Sequence, residues 1–184
     1  MSGEHHVALL RGINVGGRNA VPMKQLAACV ESGGYADVTT YIQSGNVLFT
    51  TDSTDARAME LDLEQRIRSD FGFPVPVVVR SRAEMTQTVE SAPPGFGGPD
   101  HRCDVIFLKH PLTADDAFPE LPPPVDGVDE ASKGPAGCLY WARVSERAGK
   151  SRLSRITRSP IYPSVTIRNW NTTTKLASML SDRG

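Results

Sequence analysis

Strand-like and helix-like segments follow one another twice in the same order along this chain, β-α-β-β-α-β, and that order constrains the fold more than any other feature. His5 to Arg11 holds apolar residues at consecutive positions, Val7, Ala8, Leu9 and Leu10, which reads as a central strand covered on both faces. A glycine-rich loop, Gly12 to Ala20, leads to Pro22, which suits a first helical turn. Met23, Leu26, Ala27 and Val30 then recur at helical spacing until Gly33-Gly34 stops the helix. Asp37 to Gln43 and Asn46 to Thr50 are short β-prone runs joined at Ser44-Gly45, a hairpin signal. Asp55 to Phe71 spaces Met59, Leu63, Ile67 and Phe71 by four, as a helix requires, and Val75 to Val79 closes the unit as a strand.

Ser81-Arg82-Ala83-Glu84 is a capping-box pattern opening a connecting helix, and Pro93 to Pro99 breaks all regularity as a linker. The same order is then expected again. Cys103 to Lys109 is a strand, Thr113 to Phe118 a short capped helix, and Val125 to Ser132 and Cys138 to Val144 are strands around a Gly134 to Gly137 turn. Lys150 to Thr157 reads as a helix with Leu153 and Ile156 inward, and Val165 to Arg168 as the last strand. Thr172 to Ser181 adds a C-terminal helix. The expected fold class is therefore α+β, with two tandem ferredoxin-like (βαββαβ) subdomains, antiparallel sheets and a C-terminal helix. The expected division is 1–80, a connecting segment 81–100, and 101–184.

Hydrophobic content of 39% and charged content of 22% are ordinary for a globular chain. No apolar run approaches bilayer length, and Met1 to His6 lacks the pattern of a secretory signal. Cys29, Cys103 and Cys138 are odd in number, have no metal-type spacing and sit in apolar segments, so free thiols in a reducing cytoplasm are expected. The net charge of −1 conceals an asymmetry. Leu112 to Glu130 carries only acidic charges, whereas Arg143 to Lys175 carries eight basic residues against Glu146 alone. A basic stretch of this kind serves an anion, a nucleic acid or simply a solvated face.

Three blocks carry a family likeness: Leu9-Leu10-Arg11-Gly12-Ile13-Asn14-Val15-Gly16-Gly17, Tyr41-Ile42-Gln43-Ser44-Gly45-Asn46-Val47, and Thr166-Ile167-Arg168-Asn169-Trp170-Asn171-Thr172. Together and in this order they resemble the bacterial family known as domain of unknown function 1697. The resemblance implies tandem ferredoxin-like subdomains and no established activity.

Topology suggests where these blocks meet. In a βαββαβ unit the loop after the first strand and the hairpin between the second and third emerge at one end. Arg11, Gly12, Asn14, Gly16 and Gly17 are thereby placed beside Gln43, Ser44 and Asn46, and such a loop offers backbone amides to an anion. Tight turns and satisfied loop backbone explain the same residues. In the second half, Lys150 and Ser151 are placed near Arg168, Asn169 and Asn171, where a guanidinium at a strand end suits phosphate or carboxylate. Ser151 reads more readily as an ordinary helix cap, Asn169 or Asn171 as the cap of the last helix, and Trp170 as a core anchor. Gly149-Lys150-Ser151 is no P-loop, because Val144 stands where that pattern needs a glycine.

His5, His6, His101 and His110 share no ligand spacing, so no metal is expected, and no catalytic constellation or cofactor fingerprint stands out. The candidate RNA platform is largely missing, since the first and third strands offer aliphatic residues where stacking aromatics would stand. The leading expectation is a small anionic ligand, bound by or acted on by glycine-loop amides and Asn and Arg side chains. A nucleic-acid partner on the 143–175 stretch and a purely structural interaction module are the alternatives. No membrane partner is expected; catalytic residues, cofactor and oligomeric state are left open.

Overall fold

The computed structural model describes residues 3–183, which divide into two compact units, 3–83 with 178–183, and Glu84–Ala177. The structure is mixed α+β, with one four-stranded antiparallel sheet in each unit and a C-terminal helix. No described helix is long and apolar enough to cross a membrane.

The first unit runs β1 (Glu4–Leu10), α1 (Met23–Glu31), β2 (Ala36–Tyr41), β3 (Asn46–Thr51), α2 (Ala56–Phe71) and β4 (Val77–Ser81). The sheet order is β2-β3-β1-β4, with Ala8 opposite Val47 on one side and Val79 on the other. One face, Ala8, Leu10, Val47, Phe49, Val77 and Val79, packs on the helices through Leu26 and Val30 of α1 and Met59, Leu63 and Ile67 of α2. Val7, Leu9, Leu48 and Val78 on the other face are buried too, as the unbroken apolar run of β1 requires. Asp55 caps α2 by accepting from the Ala58 amide at 2.9 Å, and Gly72 ends it with φ of 82°.

β4 is an edge strand, and α2 supplies what a further strand would have given. Glu64 Oε1 accepts from the Val77 amide at 2.9 Å and Glu60 Oε1 from the Val79 amide at 3.0 Å. Two carboxylates one helical turn apart thus cover alternate outward N–H groups, which otherwise form a template for unwanted pairing.

The second unit contains α3 (Arg82–Glu90, whose first two residues fall in the first unit), β5 (His101–Leu108), α4 (Ala114–Ala117), β6 (Asp129–Lys133), β7 (Cys138–Val144) and β8 (Val165–Asn169). α5 (Trp170–Ser181) follows β8 directly, and its last residues belong to the first unit. The sheet order is β6-β7-β5-β8. Its core face, Ile106, Leu108, Leu139, Trp141 and Val165, is closed by Leu153, Ile156 and Ile161. On the opposite face the Tyr140 hydroxyl donates to the Thr88 carbonyl at 2.7 Å.

Two expectations are corrected here. Lys150 to Thr157 is not an α-helix but two 3-10 segments, Ser145–Lys150 and Leu153–Arg158, separated by extended Ser151. Asp129 Oδ2 captures the Arg152 amide at 3.1 Å, which interrupts the helix, while Leu153 and Ile156, three apart, still point inward as 3-10 geometry allows. The strand expected from Val125 begins only at Asp129. The Val125 carbonyl accepts from the Val128 and Asp129 amides at 3.0 and 2.8 Å, so the chain turns there before it extends.

Candidate functional site

The loop after β1 and the β2–β3 hairpin do meet at one end of the first unit. The Leu10 amide donates to the Gly45 carbonyl at 2.8 Å, and the Arg11 amide to the Pro76 carbonyl at 3.0 Å. Asn14, with φ of 54°, is committed to backbone. Its Nδ2 donates to the Val21 carbonyl at 3.0 Å and the Gln43 carbonyl at 2.9 Å, and its Oδ1 accepts from the Val21 amide at 2.8 Å. Buried Asn46 donates to the Tyr41 carbonyl at 2.9 Å and to Ser44 Oγ at 3.1 Å. Gly16 and Gly17, with φ of 59° and 72°, form the tip of a turn closed by the Arg18 amide on the Val15 carbonyl at 3.1 Å. Gly12 and the side chains of Gln43 and Ser44 are exposed, and Arg11 is half-buried. These residues come together as a cross-braced pair of loops, with the Asn14 and Asn46 side chains turned onto the backbone.

In the second unit the candidates separate. Ser151 bonds to Asp129, and its Oγ accepts from the Leu153 amide at 3.3 Å; Lys150 is exposed beside it. Arg168 is only 7% exposed and donates from Nη1 to Thr166 Oγ1 at 2.8 Å and the Ile167 carbonyl at 3.0 Å. Burial pulls its guanidinium down to about 10. Strand alternation puts it on the face of its partner Val105, opposite the face shared by Asp104 and Asn169. Asn169 Oδ1 accepts from the Thr172 amide at 2.8 Å and so caps α5.

Where β5 begins and β7 and β8 end, beside the opening of α5, there is a cavity of about 400 Å³. Arg102, Cys103 and Asp104 of β5 and Arg143 of β7 line it, together with Asn169, Trp170 and Asn171. Gly97 and His101 complete the lining. The wall therefore carries two arginines against one carboxylate, and the capped helix leaves the first-turn amides of Trp170 and Asn171 without intrahelical acceptors. Arg143 Nη2 lies 2.9 Å from Asp104 Oδ2. Burial pushes the Asp104 carboxyl above its usual range, and Arg143 acts against that rise. Cys103 Sγ accepts from the Gly97 amide at 3.1 Å; burial raises its pKa more than that bond lowers it, which keeps it a thiol.

The linker shapes this cavity. Phe96 packs edge-on against both Tyr140 and Trp170, with ring centroids 5.2 and 5.0 Å apart. Gly97, at φ of 83°, lies so close to the indole that an added Cβ would stand 2.2 Å from Cδ1 and Nε1 of Trp170. Gly97→Ala is expected to displace the indole, shift its emission and destabilise the unit by roughly 2 kcal/mol from left-handed strain and overpacking. Fluorescence of a Trp141→Phe background, in which Trp170 is the remaining indole, reads this directly; unchanged emission would show that the indole does not rest on Gly97. A second cavity of about 200 Å³ lies where Pro93, Pro94 and Phe96 face Glu130 and Tyr140.

Asp104 and Arg143 escaped the sequence reading as a pair. One signal was present: Asp104 interrupts the apolar run Cys103 to Leu108, where a charge has to be matched.

A comparison with curated proteins gives no match. Among solved structures the chain is similar to the conserved bacterial protein SP0830 from Streptococcus pneumoniae, at 27% identity and a TM-score of 0.84, over 96% of this chain and 98% of that one. The family model described as protein of unknown function DUF1697 matches residues 4–140, a span that holds the Leu9 to Gly17 and Tyr41 to Val47 blocks and ends ahead of Thr166. With well over half of its length matched, the chain belongs to the DUF1697 family.

Proposed function

We propose that this protein binds a small molecule carrying an oxyanion, in the cavity beside the start of α5. The observation that carries the reading is the convergence of Asn169, Trp170 and Asn171 with Arg102 and Arg143 around one cavity of about 400 Å³, a size suited to a small ligand. Arginine forks and free amides at a helix start are both matched to phosphate and carboxylate oxygens. The ferredoxin-like plan belongs to the same reading. Strand orders β2-β3-β1-β4 and β6-β7-β5-β8 support it, with 3-10 turns taking the place of the second helix in the second unit. Three buried free thiols fit a reducing compartment such as the cytoplasm.

A nucleic-acid reading has one observation in its favour, the exposed Arg147, Lys150, Arg155 and Arg158 on the 3-10 segments. Among the described residues, the exposed large apolar side chains, Val15, Ile42 and Leu61, include no aromatic to stack on a base. Calorimetric titration separates the two. Inorganic phosphate is expected to bind the native protein, and the double variant Asp104→Asn/Arg143→Gln, which leaves no buried unpaired charge, is expected to lose about tenfold or more in affinity. Equal affinity in both proteins would remove the cavity as the site. A single-stranded oligonucleotide bound tightly at physiological salt would favour the basic segments instead.

A further inference from the structure

Asp104 is the one carboxylate among the residues lining the cavity, and it stands against the arginine that an anion would seek. For a plain oxyanion this arrangement is poor, because a buried negative charge beside Arg143 cancels part of its attraction. The bonding of Asp104 is incomplete as well. The residue is 8% exposed, its Oδ2 is fully enclosed, and that oxygen accepts no hydrogen bond although Arg143 Nη2 approaches to 2.9 Å. The guanidinium is near enough for charge but its N–H groups are not aligned.

Asp129 shows what a structural carboxylate in the same unit looks like. Its Oδ1 accepts from Trp141 Nε1 at 3.2 Å, and its Oδ2 accepts from the amides of Val125 and Arg152, both at 3.1 Å. Both oxygens are engaged by fixed donors. Asp104 has no such web, yet it faces a cavity rather than packed core.

Resting on the oxyanion reading above, we infer that the ligand also carries a hydrogen-bond donor, an ammonium or hydroxyl group, which Asp104 receives while Arg143 takes the oxyanion. Arg143, whose side chain is 25% exposed, turns in this arrangement from the carboxylate onto the ligand, and that movement opens Oδ2 to the donor. The ligand class is thus a small amino- or hydroxy-substituted phosphate or carboxylate.

Matched probes test this in the full-length protein. Phosphoethanolamine and ethyl phosphate differ by the ammonium group, and β-alanine and propionate form the carboxylate pair. The aminated member of at least one pair is expected to bind about tenfold tighter than its partner. The pair that shows the preference identifies the oxyanion. Asp104→Asn is expected to abolish the preference while tightening the plain anion several-fold, because it removes the repulsion and keeps the shape. A merely structural Asp104 would move both probes together. Ethyl phosphate and phosphoethanolamine binding alike, with the carboxylate pair also alike, would overturn the donor inference and leave the oxyanion site standing. No binding by any of the four would overturn both. The comparison in the native protein decides the matter even where the variant is unstable.

Discussion

Asn14→Ala is expected to lose roughly 3 kcal/mol of stability in the first unit, because it removes hydrogen bonds to backbone groups and puts alanine in a left-handed conformation. The side chain spans two loops. It holds the Val21 amide and carbonyl on one side and the Gln43 carbonyl on the other, at 2.8 to 3.0 Å. Asn14→Gly separates the two contributions, since glycine accepts the φ of 54° and recovers about 1 kcal/mol while leaving the backbone groups without partners. Chemical denaturation gives the energies, and amide exchange at Val21 should quicken in both variants. A loss well under 1 kcal/mol for Asn14→Ala would mean that the loops are held by something other than this residue.

Asp129→Ala should do more damage, about 3–5 kcal/mol, because a buried carboxylate and the fixed donors around it are broken together. Burial by itself would raise the Asp129 carboxyl. The hydrogen bonds from Ser151, the Arg152 and Val125 amides and the Trp141 indole outweigh it and hold the group below its usual range. A pKa depressed by folding stabilises the folded state above the unfolded pKa, near 4, and that stabilisation fades as pH falls through the folded value. Thermal melts from neutral pH downward should therefore show an acid-side loss of stability that is smaller in Asp129→Asn, which starts from a lower melting temperature. A variant whose acid limb matches that of the native protein would show that Asp129 does not titrate in this way. Asp104 works in the opposite sense, since its carboxyl is raised by burial, so the two variants distinguish the residues.

The first unit was legible because its signals are local. The apolar run of β1 fixes a strand covered twice, Met59, Leu63 and Ile67 fix one face of α2, and the meeting of the Gly12 to Ala20 loop with the hairpin follows from topology. The 150–157 segment was not legible, because what breaks it is Asp129, more than twenty residues away, binding the Arg152 amide. No periodicity in that segment reports such a contact. Asn14 and Asn46 have the composition of ligand-binding residues, and only their hydrogen-bond partners show them holding backbone. The cavity was hardest of all. Gly97 comes from a linker, Asp104 and Arg143 from neighbouring strands, and Asn169 to Asn171 from the start of α5, so their proximity depends on strand register.

Backbone amide NMR during titration with inorganic phosphate tests the location of the site most directly. Saturable shifts are expected at Gly97, Arg102, Arg143, Trp170 and Asn171, with the Gly12 to Ala20 loop and the Arg147 to Arg158 segments unchanged. Shifts confined to either of those two regions, with the cavity amides still, would contradict it.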